Sequence, residues 1–167
     1  MLKTLLLLLA VSLQSPAGAG PELGIIAGAV TPSAEDQRSE SVRVVLLSPQ
    51  YASLWVSDVQ KRLDMYWERY KPAFAQRKEF FFEVSKMAHR DALEFVVNRM
   101  QRDSRIQITN FIKTTGSDGK FEFKDIPLGE YRIVALARVG AQDMLWQESV
   151  DVSGPVPQFI RLKKIVP

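Results

Sequence analysis

The stretch from Thr114 to Arg138, TTGSDGKFEFKDIPLGEYRIVALAR, most narrows what this chain can fold into. Asp118-Gly119 lies between two extended runs. A tight turn needs a positive φ, which glycine supplies without steric cost, so the pair predicts a β-hairpin. Phe121 and Phe123, two apart, fall on one face of the strand that follows. Asp125 to Gly129 reads DIPLG and predicts a second turn, with Asp118 and Asp125 both serving turns. Beyond it Tyr131, Ile133, Ala135 and Ala137 alternate with Arg132, Val134, Leu136 and Arg138, a strand of period two. An antiparallel β domain is the expectation.

The flanking segments extend that pattern. Gly24 to Val30 is apolar with two glycines, Thr31 to Ser41 is a polar loop containing Pro32, and Ser41 to Leu47 is again a strand. Its Val42, Val44 and Leu46 share one face, and Val45 and Leu47 the other. Late in the chain Ile106, Ile108 and Ile112 share a face. A Val139-Gly140 turn then leads to a strand over about Met144 to Val152, and Gln158 to Lys163 closes the sheet after Ser153-Gly154-Pro155 breaks it. The predicted order is two strands, two helices and about five strands.

Thr115, Gly116, Asp118, Gly119, Phe121, Phe123, Ile126, Pro127, Gly129, Tyr131 and Ala135, with the strand GIIAGAV upstream, resemble the core of the carboxypeptidase regulatory-like domain. The resemblance implies a mainly β fold, a transthyretin-like (prealbumin-like) antiparallel sandwich of about seven strands, classed among carbohydrate-binding-like folds. It implies a structural and binding module found in secreted proteins, not an activity. Tyr131 resembles the tyrosine corner of β-sandwiches, whose hydroxyl bonds backbone a few residues upstream. Ser48 to Asp103 has no counterpart in that pattern, so residues 20–167 read as one domain with a helical insertion at 49–103.

In the insertion, Ser48-Pro49 suits an N-cap and first helical position. Trp55, Val59, Leu63, Tyr66 and Tyr70 recur at helical spacing, and Pro72 is expected to end or kink this first helix. A second helix is predicted from about Phe74 to Arg102, with two adjoining apolar stripes. One carries Phe81, Val84, Ala88, Ala92 and Phe95, and the other Phe82, His89, Leu93, Val96 and Met100. An arc so wide exceeds what one partner helix covers. The sandwich, a second copy or a ligand must cover the rest. The second stripe is therefore the candidate interface for a protein partner or homo-oligomer, and packing onto the chain's own sandwich is the competing expectation. Tyr66, Trp67 and Tyr70, beside Arg69 and Lys71, are candidates for stacking on a sugar ring. Trp67 lies off the stripe and is the one best placed for exposure.

Location and chemistry follow from what the rest contains. Lys3, the apolar run Leu5 to Val11 and Ala17-Gly18-Ala19 read as a secretory signal peptide over residues 1–19, with an uncleaved anchor as the alternative, and the apolar run is too short to span a bilayer. No stable membrane span is expected in the mature form. Cysteine is absent, so there is no disulfide framework and no thiolate site. Loss of Lys3 with the leader takes the basic count from 22 to 21 against 19 acidic residues, a mature charge of about +2. Without a dense basic cluster this is no nucleic-acid signature. His89 is the single histidine, the carboxylates are scattered, and no phosphate loop occurs. No catalytic residue, metal site or cofactor is expected. The reading is a secreted or periplasmic non-catalytic module acting through protein contacts of its insertion, with carbohydrate binding in the cell envelope or extracellular space as the alternative.

Overall fold

Alternating apolar residues set seven strands, and two longer stretches of helical period interrupt them after the second. The computed structural model describes residues 22–30, 41–77, 79–139 and 142–164. The expected signal peptide, most of the Thr31 to Ser41 loop and the glycine of the Val139-Gly140 turn lie outside them. The elements are β1 (Leu23–Val30), β2 (Arg43–Leu47), α1 (Pro49–Gln76), α2 (Phe80–Gln101), β3 (Ile112–Thr114), β4 (Lys120–Pro127), β5 (Gly129–Val139), β6 (Gln142–Val152) and β7 (Gln158–Lys164). The fold is mainly β with a helical insertion.

Strands neighbour one another in the order β3-β2-β5-β6-β7-β1-β4. β6 meets β7 through Trp146↔Lys164 and Gln147↔Lys163, and the ladder folds over at that joint into two leaves. Ile26, Val30, Phe121, Phe123, Ile126 and Leu162 from the β7-β1-β4 leaf pack against Val44, Leu46, Ile133, Ala135, Trp146 and Val150 of the β3-β2-β5-β6 leaf. The other face of that second leaf is apolar too. Val45, Leu47, Val134 and Leu145 lie beneath the helices with Tyr51, Trp55, Val59, Leu93, Val96 and Met100. The molecule therefore has three layers, sheet on sheet on helical hairpin.

Several expectations change. The Asp118-Gly119 turn forms as read, with Gly119 N–H donating to the Gly116 carbonyl at 3.0 Å and Asp118 Oδ1 accepting from Lys120 N–H at 3.1 Å. It does not make a hairpin: β3 pairs with β2, and β4 with β1, so the turn carries the chain from one leaf to the other. Thr115 anchors that crossing by accepting from Val42 N–H through Oγ1 at 3.1 Å while its own N–H donates to the Val42 carbonyl at 2.9 Å. Asp125 sits inside β4 with φ 57, where the β1–β4 register shifts between Gly24 and Ile26. It serves a bulge, not a turn, because aspartate tolerates the left-handed region. β7 runs parallel to β1, so the sheet is mixed. Ile108–Asn110 is a single 3-10 turn, and the strand begins only at Ile112.

The helix boundary moves as well. α1 runs for 28 residues, about 42 Å, and continues through Pro72 to Gln76, so Pro72 does not end it. α2 begins at Phe80, not near Phe74. Pro72 forfeits one helical hydrogen bond, but continuing the helix seats Phe74 against Trp67 and Phe80. Ser48 occupies the N-cap position without a side-chain capping bond.

Gly119 tests the crossing between leaves. Its φ is 69, and a β-carbon there would run into the Val30 carbonyl. Gly119→Ala is expected to cost about 2 kcal/mol or more, from left-handed strain plus displacement of that backbone. The urea midpoint measures it, and an unchanged midpoint would remove this contact from the account of the fold.

Candidate functional site at the helical insertion

The two helices meet along small and aromatic residues, then part company in what they pack against. Near their base, Trp55 Nε1–H donates to the His89 carbonyl at 3.3 Å, and the two rings meet edge-on at 5.7 Å. His89 Nδ1–H donates to the Ser85 carbonyl at 2.8 Å, which leaves this half-buried ring engaged within the hairpin. Arg90 bonds Asp143 of β6 at 2.6 Å and Arg43 of β2 bonds Glu94 at 2.9 Å, tying α2 to the sheet on both sides. Farther out, Tyr66, Phe74, Val84 and Ala88 form a separate cluster joined by Leu63, Tyr70, Phe80 and Met87. No strand residue belongs to it. The distal half of the hairpin packs on itself.

That distal end is aromatic and partly open. Trp67 stacks on Phe74 with centroids 5.0 Å apart and planes 20° apart, and Phe81 meets Trp67, Phe74 and Phe82 edge-on. Trp67 remains 45% exposed, Phe81 44% and Phe82 40%. Tyr66, by contrast, is buried, and its hydroxyl donates to Asp91 Oδ2 at 2.9 Å. Burial, then that bond, raises its phenol above the ordinary value. Tyr70 is half-buried against Phe80. Of the three candidates for ring stacking, Trp67 alone presents a broad open face.

The candidate interface stripe divides in the same way. Leu93, Val96 and Met100 are buried against Val45, Leu47, Val134 and Leu145, so they are not an open surface. Their cover is the chain's own sheet, because β2 and β5 are apolar on both faces. His89 lies in the seam between the helices, and Phe82 remains open. Phe81 and Phe95, expected under the first helix, are exposed instead. The signal for this was Phe80-Phe81-Phe82, since three consecutive residues 100° apart cannot all enter one seam.

At the base, where α1 begins and α2 ends, polar groups gather. Asp103 accepts from Tyr51 Oη–H at 2.7 Å and from Arg105 Nε–H at 2.8 Å and Nη2–H at 2.6 Å. Arg105, then Tyr51, holds this carboxyl well below the usual carboxylate range. Tyr131 completes the expected corner, its hydroxyl donating to the Pro127 carbonyl at 3.0 Å. Among the described residues no helix is long and apolar enough to cross a membrane.

No family model matches the chain, and no curated protein matches it. Among solved structures it is similar to a carbohydrate-binding candidate from Pseudomonas aeruginosa, 16% identical over 87% of this chain and 91% of that one, TM-score 0.35. It is also similar to the pilus backbone protein RrgB of Streptococcus pneumoniae, 14% identical over 77% of this chain and 33% of that one, TM-score 0.32. Neither similarity carries a site residue onto this chain.

Two outcomes follow from this geometry. Leu93→Glu places a charge where the side chain is 1% exposed and is expected to cost more than about 4 kcal/mol, whereas Phe82→Glu should stay within about 1 kcal/mol. Circular dichroism and urea denaturation separate them, and a folded Leu93→Glu variant would overturn the packing described. The second concerns acid. Asp103 has a lower pKa folded than unfolded, so its contribution is complete above the unfolded value of about 3.9 and is lost as pH falls below it. Wild-type urea midpoints should drop more steeply there than those of Asp103→Asn, and parallel curves would show that the ion pair adds nothing.

Proposed function

We propose that this chain is a secreted or periplasmic binding module without catalysis of its own, built on a carboxypeptidase regulatory-like, transthyretin-type sandwich, and that it acts through protein contact at the distal end of its helical insertion. The observation that carries the reading is the open aromatic surface of Trp67, Phe81 and Phe82 on a hairpin end that packs only on itself. Aromatic side chains dominate protein interfaces because they bury large rigid areas at little entropic cost. The signal-peptide pattern supports the location. The Thr115 anchor, the Asp118-Gly119 turn and the Tyr131 corner support the family reading.

Carbohydrate binding is the second reading, and Trp67 favours it. With one face against Phe74 and nearly half its surface open, the indole offers a flat platform of the kind a sugar ring stacks on.

Phe81→Ser combined with Phe82→Ser should leave the circular dichroism spectrum intact and abolish self-association or partner capture, read by light scattering and by pull-down with the mature protein. A wild type that is monomeric and captures no partner would sink the protein-contact reading. On a glycan array, binding lost in Trp67→Ala but kept in the double phenylalanine variant would move the assignment to carbohydrate.

A further inference from the structure

The base of the hairpin carries a second surface, independent of the aromatic end. Where the first turns of α1 meet the last turn of α2, a cleft of about 900 Å³ opens between Gln50, Ser53 and Leu54 on one side and Phe95, Arg99 and Arg102 on the other. Arg105 lies at its end. Phe95, Arg99 and the C-cap residue Arg102 are spaced four and three apart, so they form one stripe over the end of α2, lining the groove. We infer that this cleft binds an acidic sugar, with Arg99 and Arg102 holding its carboxylate or sulfate group and Phe95 lying against the ring.

The charge balance of the cleft supports an anion. Asp103 is the one acidic residue that lines it, and that carboxylate is taken up by Tyr51 and by the fork of Arg105. Arg102 N–H donates to the Arg99 carbonyl, but neither side chain makes a hydrogen bond or ion pair among the described residues. Two guanidinium groups are thus uncompensated, and their planar forks match carboxylate and sulfate oxygens. A bare inorganic anion would use the arginines and nothing else. Phe95, 41% exposed, adds an apolar ring face, and Gln50 and Ser53 add groups that exchange hydrogen bonds with hydroxyls. Anion, ring face and hydroxyl partners together describe an acidic sugar. The volume falls in the range that holds small ligands. The negative end of α2 favours cations here, which accounts for Arg99 in its last turn and Arg102 at its cap but not for an open phenylalanine beside them.

Calorimetric titration of the mature chain with tetragalacturonate, with a heparin tetrasaccharide and with inorganic sulfate tests the site. One or both tetrasaccharides should bind, more weakly as salt rises. Arg99→Gln and Arg102→Gln should each weaken binding about tenfold, as expected for a lost charge-assisted hydrogen bond. Phe95→Ser should weaken it too, whereas Val156→Ser, in the loop between β6 and β7, should leave it unchanged. All four positions are exposed, so matching circular dichroism spectra certify the variants. Binding of tetragalacturonate alone assigns the carboxylate, and of heparin alone the sulfate. Failure of both sugars, affinity untouched by either arginine substitution, inorganic sulfate binding as tightly, or single-stranded RNA binding as tightly would each overturn the proposal. None of these outcomes depends on what the aromatic end contacts.

Discussion

The apolar character of both faces of β2 and β5 is the constraint on which the rest of the structure depends. One face, carrying Val44, Leu46, Ile133 and Ala135, closes the sandwich. The other, carrying Val45, Leu47 and Val134, needs a second cover, since each such side chain left in water forgoes roughly 1.5–3 kcal/mol. The inserted hairpin supplies it. The stretch between the second and third strands is therefore a third layer of the core, and its inner face is fixed by the sheet it shields. Only the residues beyond that contact are free to answer to something else.

The strands were legible because their evidence is local. Alternation in Ser41 to Leu47 and in Tyr131 to Arg138 places each side chain on the face it occupies. Pairing is not local, which is why the Asp118-Gly119 turn reads as a hairpin when it is a crossing between leaves: the turn chemistry is the same in both. The parallel β1–β7 pairing is hidden for the same reason. Pro72 points to a helix end because intrinsic propensity omits the aromatic packing of Phe74 that outweighs it. Of the two expectations for Leu93, Val96 and Met100, packing on the chain's own sheet is the one that holds, and the reason is not local either. Alternation assigns Val45, Leu47 and Val134 to a face without saying that the face requires cover.

Polar groups divide the hairpin into a fixed base and an independent end. The base is held by Arg90 to Asp143, Arg43 to Glu94 and Tyr51 to Asp103, so the cleft there is framed by positions that the sheet and the loop after α2 constrain. The Arg43–Glu94 pair is about half exposed and adds little stability by itself. Its use is orientation. Among the described residues no buried side-chain nitrogen or oxygen lacks a hydrogen-bond partner, which leaves the open aromatic residues as the main unanswered surface of the outer half.

The position of the hairpin also bears on how the chain reaches this state. β2 and β3 pair with each other, Val45 opposite Ile112, although the whole of α1 and α2 lies between them. A disordered connection of that length would leave their meeting to a slow search, because non-local pairing waits on loop closure. Helices form by local contacts in about a microsecond, and two antiparallel ones return the chain to its starting point. With Trp55 bonded to His89 and Tyr66 to Asp91, a formed hairpin holds the ends of β2 and β3 close together. A formed insertion is thus a splint, which makes a pairing distant in sequence a near one in space.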